Sequence, residues 1–164
     1  MMAASGWRWL PVTAIVIGVD QVTKLVVVHH VALYSSIKVL PVLDISLRYN
    51  KGAAFSFLED ASGWQRWFFT ALALGVSGAI VIWMRRLKSA KEWLLSLSLA
   101  LILAGALGNV IDRLRLGHVI DFIVAHWQRS EFPAFNVADS SITIGAALLL
   151  LDALLESGRR EGRT

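Results

Sequence analysis

Three aspartates lie in a polar stretch, residues 108–139, between two long apolar segments of the chain. Asp112 lies near the start of this stretch, Asp121 interrupts the apolar run 119–124, and Asp139 directly precedes the next apolar segment. Polar groups at a membrane boundary are costly to desolvate and therefore mark a candidate functional site. Two carboxylates brought together in a partly dry site share a proton, because both cannot ionise easily. One then activates a water as general base while the other donates to a scissile amide, so Asp121 and Asp139 predict peptide hydrolysis.

Both aspartates of this pair also have a purely structural interpretation. The sequence places Asp139 at the N-cap of the following helix, where an aspartate is common and sufficient without catalysis. Asp121 is compatible with an ion pair to Arg113 or Arg115. Serine-based hydrolysis fits less well, because the chain has no Gly-x-Ser-x-Gly elbow.

Histidine and cysteine give little support for a metal site. The chain contains no cysteine, which excludes disulfides, thiolate nucleophiles and cysteine-type zinc sites. His118 and His126 flank Asp121, but no His-Glu-x-x-His pattern is present. We interpret these two histidines, together with His29 and His30, as hydrogen-bonding residues at the membrane interface.

Long apolar blocks have to position these side chains. Hydrophobic residues make up 56% of the 164-residue chain and occur in blocks rather than amphipathic stripes, which indicates membrane helices. The net charge of +4 would suit a nucleic-acid binder. The basic residues flank the blocks and form no face of their own, so we expect no nucleic-acid partner. We predict one mainly α membrane domain, residues 1–164, with four transmembrane helices at about 10–28, 67–84, 93–111 and 140–155.

The first block contains a charged pair, Asp20 and Lys24, separated by one helical turn. Side chains at this spacing share one face of a helix. In one interpretation Lys24 snorkels to the outer interface and Asp20 is simply its partner. In the other, which we favour, the pair faces the interior of the bundle and braces the site. The spacing leaves open whether such a brace is structural or catalytic.

Residues 29–66 form a mixed segment between the first two blocks. The part at 37–49 alternates loosely and is rich in β-branched residues, which predicts short strands. Asn50-Lys51-Gly52 is a turn signal before a second run at 53–58. We therefore expect a small antiparallel β-sheet on the membrane surface, on the extracytoplasmic side. Asn50 is either a turn residue only or an amide that contacts a peptide backbone.

The basic residues predict the orientation of the chain in the membrane. Segments 1–9, 85–91 and 158–164 hold eight Lys and Arg in 23 residues, whereas 29–66 and 113–138 hold seven in 64. The denser set is expected in the cytoplasm, so both termini are cytoplasmic and the polar stretch faces outside. Tryptophans near the proposed span ends agree, as interfacial aromatics should. They are Trp7, Trp9, Trp64, Trp67, Trp83, Trp93 and Trp127.

Five stretches of the chain together resemble the lipoprotein signal peptidases, the type II signal peptidases of bacteria. Each stretch alone is a weak signal, but their combination in this order is highly specific. The stretches are Asp20-Gln21-x-x-Lys24, Arg48-Tyr49-Asn50-x-Gly52-Ala53-Ala54-Phe55-Ser56, Gly105-Ala106-x-Gly108-Asn109-x-x-Asp112-Arg113, Val119-x-Asp121-Phe122 and Phe135-Asn136-x-Ala138-Asp139.

This resemblance implies an aspartic endopeptidase of the bacterial inner membrane with its site at the outer face. It would remove signal peptides from diacylglyceryl-modified prolipoproteins by cutting just before the lipidated cysteine. No metal or organic cofactor is implied, contact with membrane lipids is, and we expect a monomer. Asp121 and Asp139 would be catalytic. The other implied residues are Asn50, Asn109, Arg113 and Asn136 for substrate binding, with Asp20, Lys24 and Asp112 in support.

Two other functions compete with this interpretation. A small membrane transporter or assembly factor would use Asp20, Lys24 and Asp112 as a polar pathway. Such a pathway needs polar groups through the whole membrane depth. Here they cluster near one face, apart from Asp152. A protease of soluble substrates is the third option, and cleavage of unlipidated precursor would identify it.

Overall fold

A computed structural model of the chain, which describes residues 6–52, 63–87, 92–127 and 130–161, contains four long helices and a small sheet. Each helix is long and apolar enough to cross a membrane, as the apolar blocks predict. A 3-10 turn, Gly6–Trp9, precedes the first helix. In chain order the elements are α1 (Leu10–His30), β1 (Ser36–Leu40), β2 (Leu43–Asn50), α2 (Trp64–Arg86), α3 (Trp93–Leu116), β3 (Val119–Trp127), β4 (Ser130–Glu131) and α4 (Val137–Glu161).

The central element of the bundle is α3, which contacts the other three helices. Of its apolar span 61% is buried, compared with 17% to 22% for the others, whose apolar side chains remain free to face lipid. Glycines bring α3 and α4 close together. A Cβ on Gly105 would meet the carbonyl oxygen of Ala138, and a Cβ on Gly145 would lie 2.8 Å from the carbonyl oxygen of Ser98. This close approach fixes the start of α4 against α3.

The four strands form one antiparallel sheet in the order β1-β2-β3-β4. The strands come from the connection between α1 and α2 and from the connection between α3 and α4, so the sheet lies at one end of the bundle. Between β2 and β3, Arg48 pairs with Asp121 and Asn50 pairs with Val119. One apolar cluster joins the sheet to α1, and its buried members are Val27, Val31, Leu47, Ile120 and Phe122.

The helices extend beyond their predicted ends. α3 continues to Leu116 and ends at Gly117, which has the left-handed φ of 83°. Asp112 and Arg113 therefore belong to the last turns of a helix, whereas the predicted span ends at residue 111. α4 begins at Val137, three residues earlier than predicted. Polar residues at a helix end interrupt the apolar pattern without interrupting the helix.

The sheet is larger than the sequence indicates. The strands predicted at 37–49 are confirmed by β1 and β2. The run at 53–58 lies outside the described residues. β3 has no counterpart in the prediction, although its sequence, Val119-Ile120-Asp121-Phe122-Ile123-Val124, is rich in β-branched residues. The strand that the prediction lacks is thus the one that carries Asp121.

Candidate active site

Asp121 is buried in β3 between two asparagine amides. Asn50 Nδ2 donates to Asp121 Oδ2 at 3.0 Å, and Asn136 Nδ2 donates to Asp121 Oδ1 at 2.7 Å. Asn50 also accepts the backbone N–H of Gly52 at 2.8 Å, and Gly52 has a φ of 102°. Asn50 is thus a turn residue, as one interpretation has it, and also a partner of Asp121. Its contact with a substrate peptide backbone stays a prediction.

The environment of Asp121 suits proton transfer. Its pKa is raised to about 6, chiefly by burial and also by the nearby charge of Asp139, while the Asn50 and Asn136 amides oppose the shift. A carboxyl group with such a pKa exchanges protons near neutral pH, which a general acid or base requires. No ion pair joins Asp121 to Arg113 or Arg115 in the described parts of the chain, so that structural interpretation is wrong.

Asp139 is the third residue of α4 and is half-buried. Its Oδ2 accepts the backbone N–H of Asn136 at 3.2 Å, and Asn136 Oδ1 accepts the backbone N–H of Asp139 at 2.9 Å. This reciprocal pair is a capping box, with Asn136 as the N-cap and Asp139 three positions later. The predicted N-cap position of Asp139 is therefore wrong. The other oxygen, Oδ1, accepts from Asn109 Nδ2 at 2.7 Å.

Asn136 connects the two carboxylates. Its side chain donates to Asp121, and its backbone N–H donates to Asp139. The same Nδ2 also lies 3.2 Å from the carbonyl oxygen of Ile120 and 3.2 Å from Asn109 Oδ1. The structure thus brings Asp121, Asp139, Asn109 and Asn136 into one hydrogen-bonded cluster. The sequence predicts the meeting of the two aspartates but not their bonds to the asparagines.

A buried charged network supports this cluster from α1. Lys24 Nζ lies 2.8 Å from Asp20 Oδ2 and 2.8 Å from Asp112 Oδ2, and all three side chains are buried. Lys24 also donates to Asn109 Oδ1 at 3.2 Å. The interior placement of the Asp20–Lys24 pair is therefore confirmed, and the snorkelling interpretation is wrong. Asp112 is the second acidic partner of Lys24, which the sequence does not reveal because 88 residues separate the two.

Two further contacts attach this network to the elements that carry the aspartates. Asp20 Oδ1 accepts the backbone N–H of Ala138 at 2.9 Å, in the first turn of α4. Asp112 Oδ2 accepts the backbone N–H of Ile120 at 3.2 Å, next to Asp121. The network therefore holds the backbone beside both aspartates.

Gln21 belongs to the network but has no assigned role in the sequence analysis. Its Nε2 donates to Asp112 Oδ1 at 2.9 Å and to Asp20 Oδ2 at 3.1 Å. The sequence signal that could have identified Gln21 is its position inside the stretch Asp20-Gln21-x-x-Lys24. A glutamine amide between two carboxylates reduces their repulsion without adding charge.

Arg113 lies at the same end of α3 and has its guanidinium carbon 5.6 Å from the ring centre of Phe69 in α2. Within the described ranges, no carboxylate lies within 4 Å of Arg113. An aromatic ring supports a guanidinium without occupying its hydrogen-bond donors. Arg113 can therefore donate to a carbonyl oxygen or an anionic group that enters the site.

The histidines have structural partners. His126 Nε2 lies 3.3 Å from Asp44 Oδ1, and the His118 ring lies 4.2 Å from the Tyr49 ring between centroids. Burial lowers the pKa of His118. Among the residues that the structure describes, no three His, Asp or Glu side chains are grouped to hold a metal ion.

Comparison with known families finds a match over most of the chain. The family model for signal peptidase II matches residues 12–155. A lipoprotein signal peptidase of Pseudomonas fluorescens is 54% identical over 149 residues, covering 90% of this chain and 86% of the relative. The one from Shewanella halifaxensis is 48% identical over 160 residues, covering 98% and 93%.

Solved structures agree with the fold. A bacterial membrane enzyme studied by the in meso method aligns with a TM-score of 0.81 and 32% identity, over 93% of this chain and 90% of that chain. A second structure of the same description aligns with a TM-score of 0.81 and 31% identity, over 94% and 97%. The arrangement of four helices and a small sheet is thus shared with known membrane enzymes.

Proposed function

The chain belongs to the signal peptidase II family, and we propose that Asp121 and Asp139 are the catalytic pair with which it removes signal peptides from prolipoproteins. The activity is that of an aspartic endopeptidase. A transporter or assembly factor, the alternative from sequence, does not fit this family. The observation that carries the proposed pair is the bridge through Asn136, whose side chain binds Asp121 while its backbone N–H binds Asp139.

The proposed reaction needs one proton on the pair and one water. The ionised carboxylate removes a proton from water, and the resulting oxygen attacks the carbonyl carbon of the scissile peptide bond. The protonated carboxyl donates its proton to the amide nitrogen as the C–N bond breaks. The pKa of Asp121, raised to about 6, supports sharing of the proton near neutral pH.

The proposed substrate is a prolipoprotein whose lipobox cysteine carries a diacylglyceryl group, cut just before that cysteine. Asn50, which donates to Asp121, and Arg113, which stacks on Phe69, belong to the proposed substrate site with Asn109 and Asn136. The last two also donate amide hydrogens to the aspartates, so positioning of the carboxylates is part of their proposed role.

The proposed location is the bacterial cytoplasmic membrane, crossed four times by a single-domain monomer, with the site at the outer face and both termini in the cytoplasm. The position of the candidate site supports this, because it lies where three spans meet the sheet. A site at this depth lets acyl chains remain in lipid while water reaches the peptide bond.

The proposed catalytic pair, called the dyad below, is tested by the variants Asp121→Asn and Asp139→Asn. Each is purified in detergent and incubated with a diacylglyceryl-modified precursor. Asparagine keeps the size of the side chain but cannot take a proton from water. Each variant should lose turnover by about 100- to 10,000-fold, because this is the usual contribution of general acid–base catalysis. The double variant should be little worse than either single one, since residues that act as a unit are not additive.

A cap-only role for Asp139 predicts the opposite result, because asparagine also satisfies backbone N–H groups at a helix start. Folded Asp139→Asn with near-parent turnover would therefore refute the dyad. The same assay with unlipidated precursor tests the substrate. Mass analysis should find product only from the lipidated form, and equal cleavage of both forms would indicate a protease of unmodified substrates.

A further inference from the structure

Arg48 lies directly opposite Asp121 in the sheet, and the catalytic proposal gives it no role. The two residues are Cα partners in the antiparallel ladder between β2 and β3. Directly paired residues point to the same face of a sheet. The bond from Asn50, two residues further along β2, to the Asp121 carboxylate identifies that face as the one that carries the site.

The present partner of Arg48 is weakly held. Arg48 Nη2 lies 3.1 Å from Glu131 Oε2, and the two side chains are 42% and 61% exposed. Ion pairs at such exposure contribute little to stability, so an incoming acceptor can replace the glutamate at small cost. Arg48 Nε is buried and has no hydrogen-bond partner among the residues that the structure describes. A buried donor without an acceptor is unfavourable, and an acceptor that reaches it gains the full interaction.

We propose that Arg48 is a substrate-binding residue that exchanges Glu131 for a main-chain oxygen of the signal-peptide segment beside the scissile bond. The proposal rests on cleavage at Asp121 and Asp139. Paired Cα atoms in an antiparallel sheet are about 5 Å apart, which is within the reach of an arginine side chain. Arg48 therefore reaches the space over Asp121 from the sheet, whereas Arg113 reaches it from α3.

The chemistry of an arginine suits both forms of this ligand. In the precursor, the acceptor is a carbonyl oxygen of an extended peptide. In the released signal peptide, the acceptor is the new C-terminal carboxylate, which a guanidinium binds through two parallel hydrogen bonds. Arg48 is thus expected to strengthen binding of the precursor and to hold the cleaved signal peptide more tightly still.

The test compares Arg48→Gln, Arg48→Lys and Glu131→Gln in detergent with diacylglyceryl-modified precursor. Arg48→Gln should raise KM about 10-fold with little change in kcat, because it removes a charge-assisted hydrogen bond that forms before the chemical step. Arg48→Lys should raise KM less. Glu131→Gln is the matched control, because it breaks the same ion pair but leaves the arginine free, and its KM should not rise.

A second measurement uses synthetic signal peptides that end in a carboxylate or in an amide as inhibitors. The carboxylate form should inhibit the parent more strongly, and Arg48→Gln should remove this preference. An unchanged KM in folded Arg48→Gln would overturn the proposal. So would an equal rise of KM in Glu131→Gln, since the ion pair itself would then be responsible.

These outcomes are separate from those that concern the dyad. The dyad fails when Asp121→Asn or Asp139→Asn keeps its turnover. The Arg48 proposal fails on KM and inhibition in enzyme that retains both aspartates. Should Arg48→Gln unfold, as thermal melting would reveal, Arg48→Lys decides the matter, because it keeps the charge but loses the bidentate geometry.

Discussion

At the scale of single residues, Asn136 explains why two aspartates 18 positions apart act on one another. It begins α4, and its capping box fixes Asp139 in the first turn. The same side chain crosses to β3 and donates to Asp121 at 2.7 Å. A carboxylate in place of Asn136 would add charge, and a hydroxyl would lack the second group, so an amide suits the position. The residue that caps the start of α4 is therefore also the residue that joins the two aspartates.

Ionised Asp121 is destabilising in this setting. Its pKa is raised to about 6, well above the usual value for an aspartate, chiefly by burial and also by the Asp139 charge. The folded state thus binds the proton more tightly than the unfolded state. The stability associated with Asp121 is fully present below about pH 4 and is lost as the pH rises through about 6.

The variant Asp121→Asn should reveal this dependence, because it cannot ionise. Melting temperatures of parent and variant are compared in detergent between pH 4 and pH 7.5. We expect the parent to lose stability relative to the variant across this range, with most of the change near pH 6. A matched control is Asp44→Asn, whose carboxylate lies at the other end of β2 and contacts His126. A constant difference between parent and Asp121→Asn would contradict the raised pKa.

At the scale of elements, the junction of α1, α3 and α4 depends on the small size of Gly108. A Cβ on Gly108 would lie 2.9 Å from Asp20 Oδ2 and 3.2 Å from the Cβ of Ala138. Asp20 accepts the backbone N–H of Ala138 and pairs with Lys24, so a displaced Asp20 would disturb both contacts. The missing side chain therefore provides space for a buried ion pair beside the first turn of α4.

We predict that Gly108→Ala lowers both the melting temperature and the turnover of lipidated precursor. The physical reason is the clash with Asp20, which moves the start of α4 and with it Asp139. Gly75→Ala is the matched control, because a Cβ at Gly75 in α2 would meet nothing within 4 Å. Since alanine favours helix by about 1 kcal/mol over glycine, this control should melt no lower than the parent. Equal behaviour of the two variants would contradict the role of Gly108.

The elements also show what the sequence can and cannot predict. Long apolar blocks predict the four helices, because a bilayer requires that length and composition. They do not predict helix ends, since Asp112 and Arg113 remain helical and find partners or an aromatic ring in other elements. β3 does not follow from local pattern alone, because it depends on pairing with the distant strand β2. The capping box of Asn136 is local, but the bond from its side chain to Asp121 joins distant parts of the chain. The two aspartates could be identified from their residue type and their position between apolar segments. The bridge through Asn136 that joins them could not.

At the scale of the whole molecule, the candidate site lies at one end of the bundle, and basic residues flank the helices at the opposite end. The sheet and the aspartates lie where α1 and α3 end and where α2 and α4 begin. The start of α1, the end of α2, the start of α3 and the end of α4 lie at the other end. In the sequence, the segment 85–91 between α2 and α3 contains four Lys and Arg. Retention of basic segments in the cytoplasm would place the aspartates at the outer face, as we propose.

The orientation is tested with single cysteines in this cysteine-free chain. Lys38→Cys places a thiol on exposed β1 of the sheet, and Lys88→Cys places one in the segment 85–91. An impermeant maleimide should label Lys38→Cys in intact spheroplasts, whereas Lys88→Cys should react only after lysis. Neither lysine belongs to the proposed site, so both variants should cleave lipidated precursor at the parent rate, which verifies their fold. Labelling of Lys88→Cys in intact spheroplasts would reverse the orientation and would place the proposed catalytic pair, Asp121 and Asp139, at the cytoplasmic face.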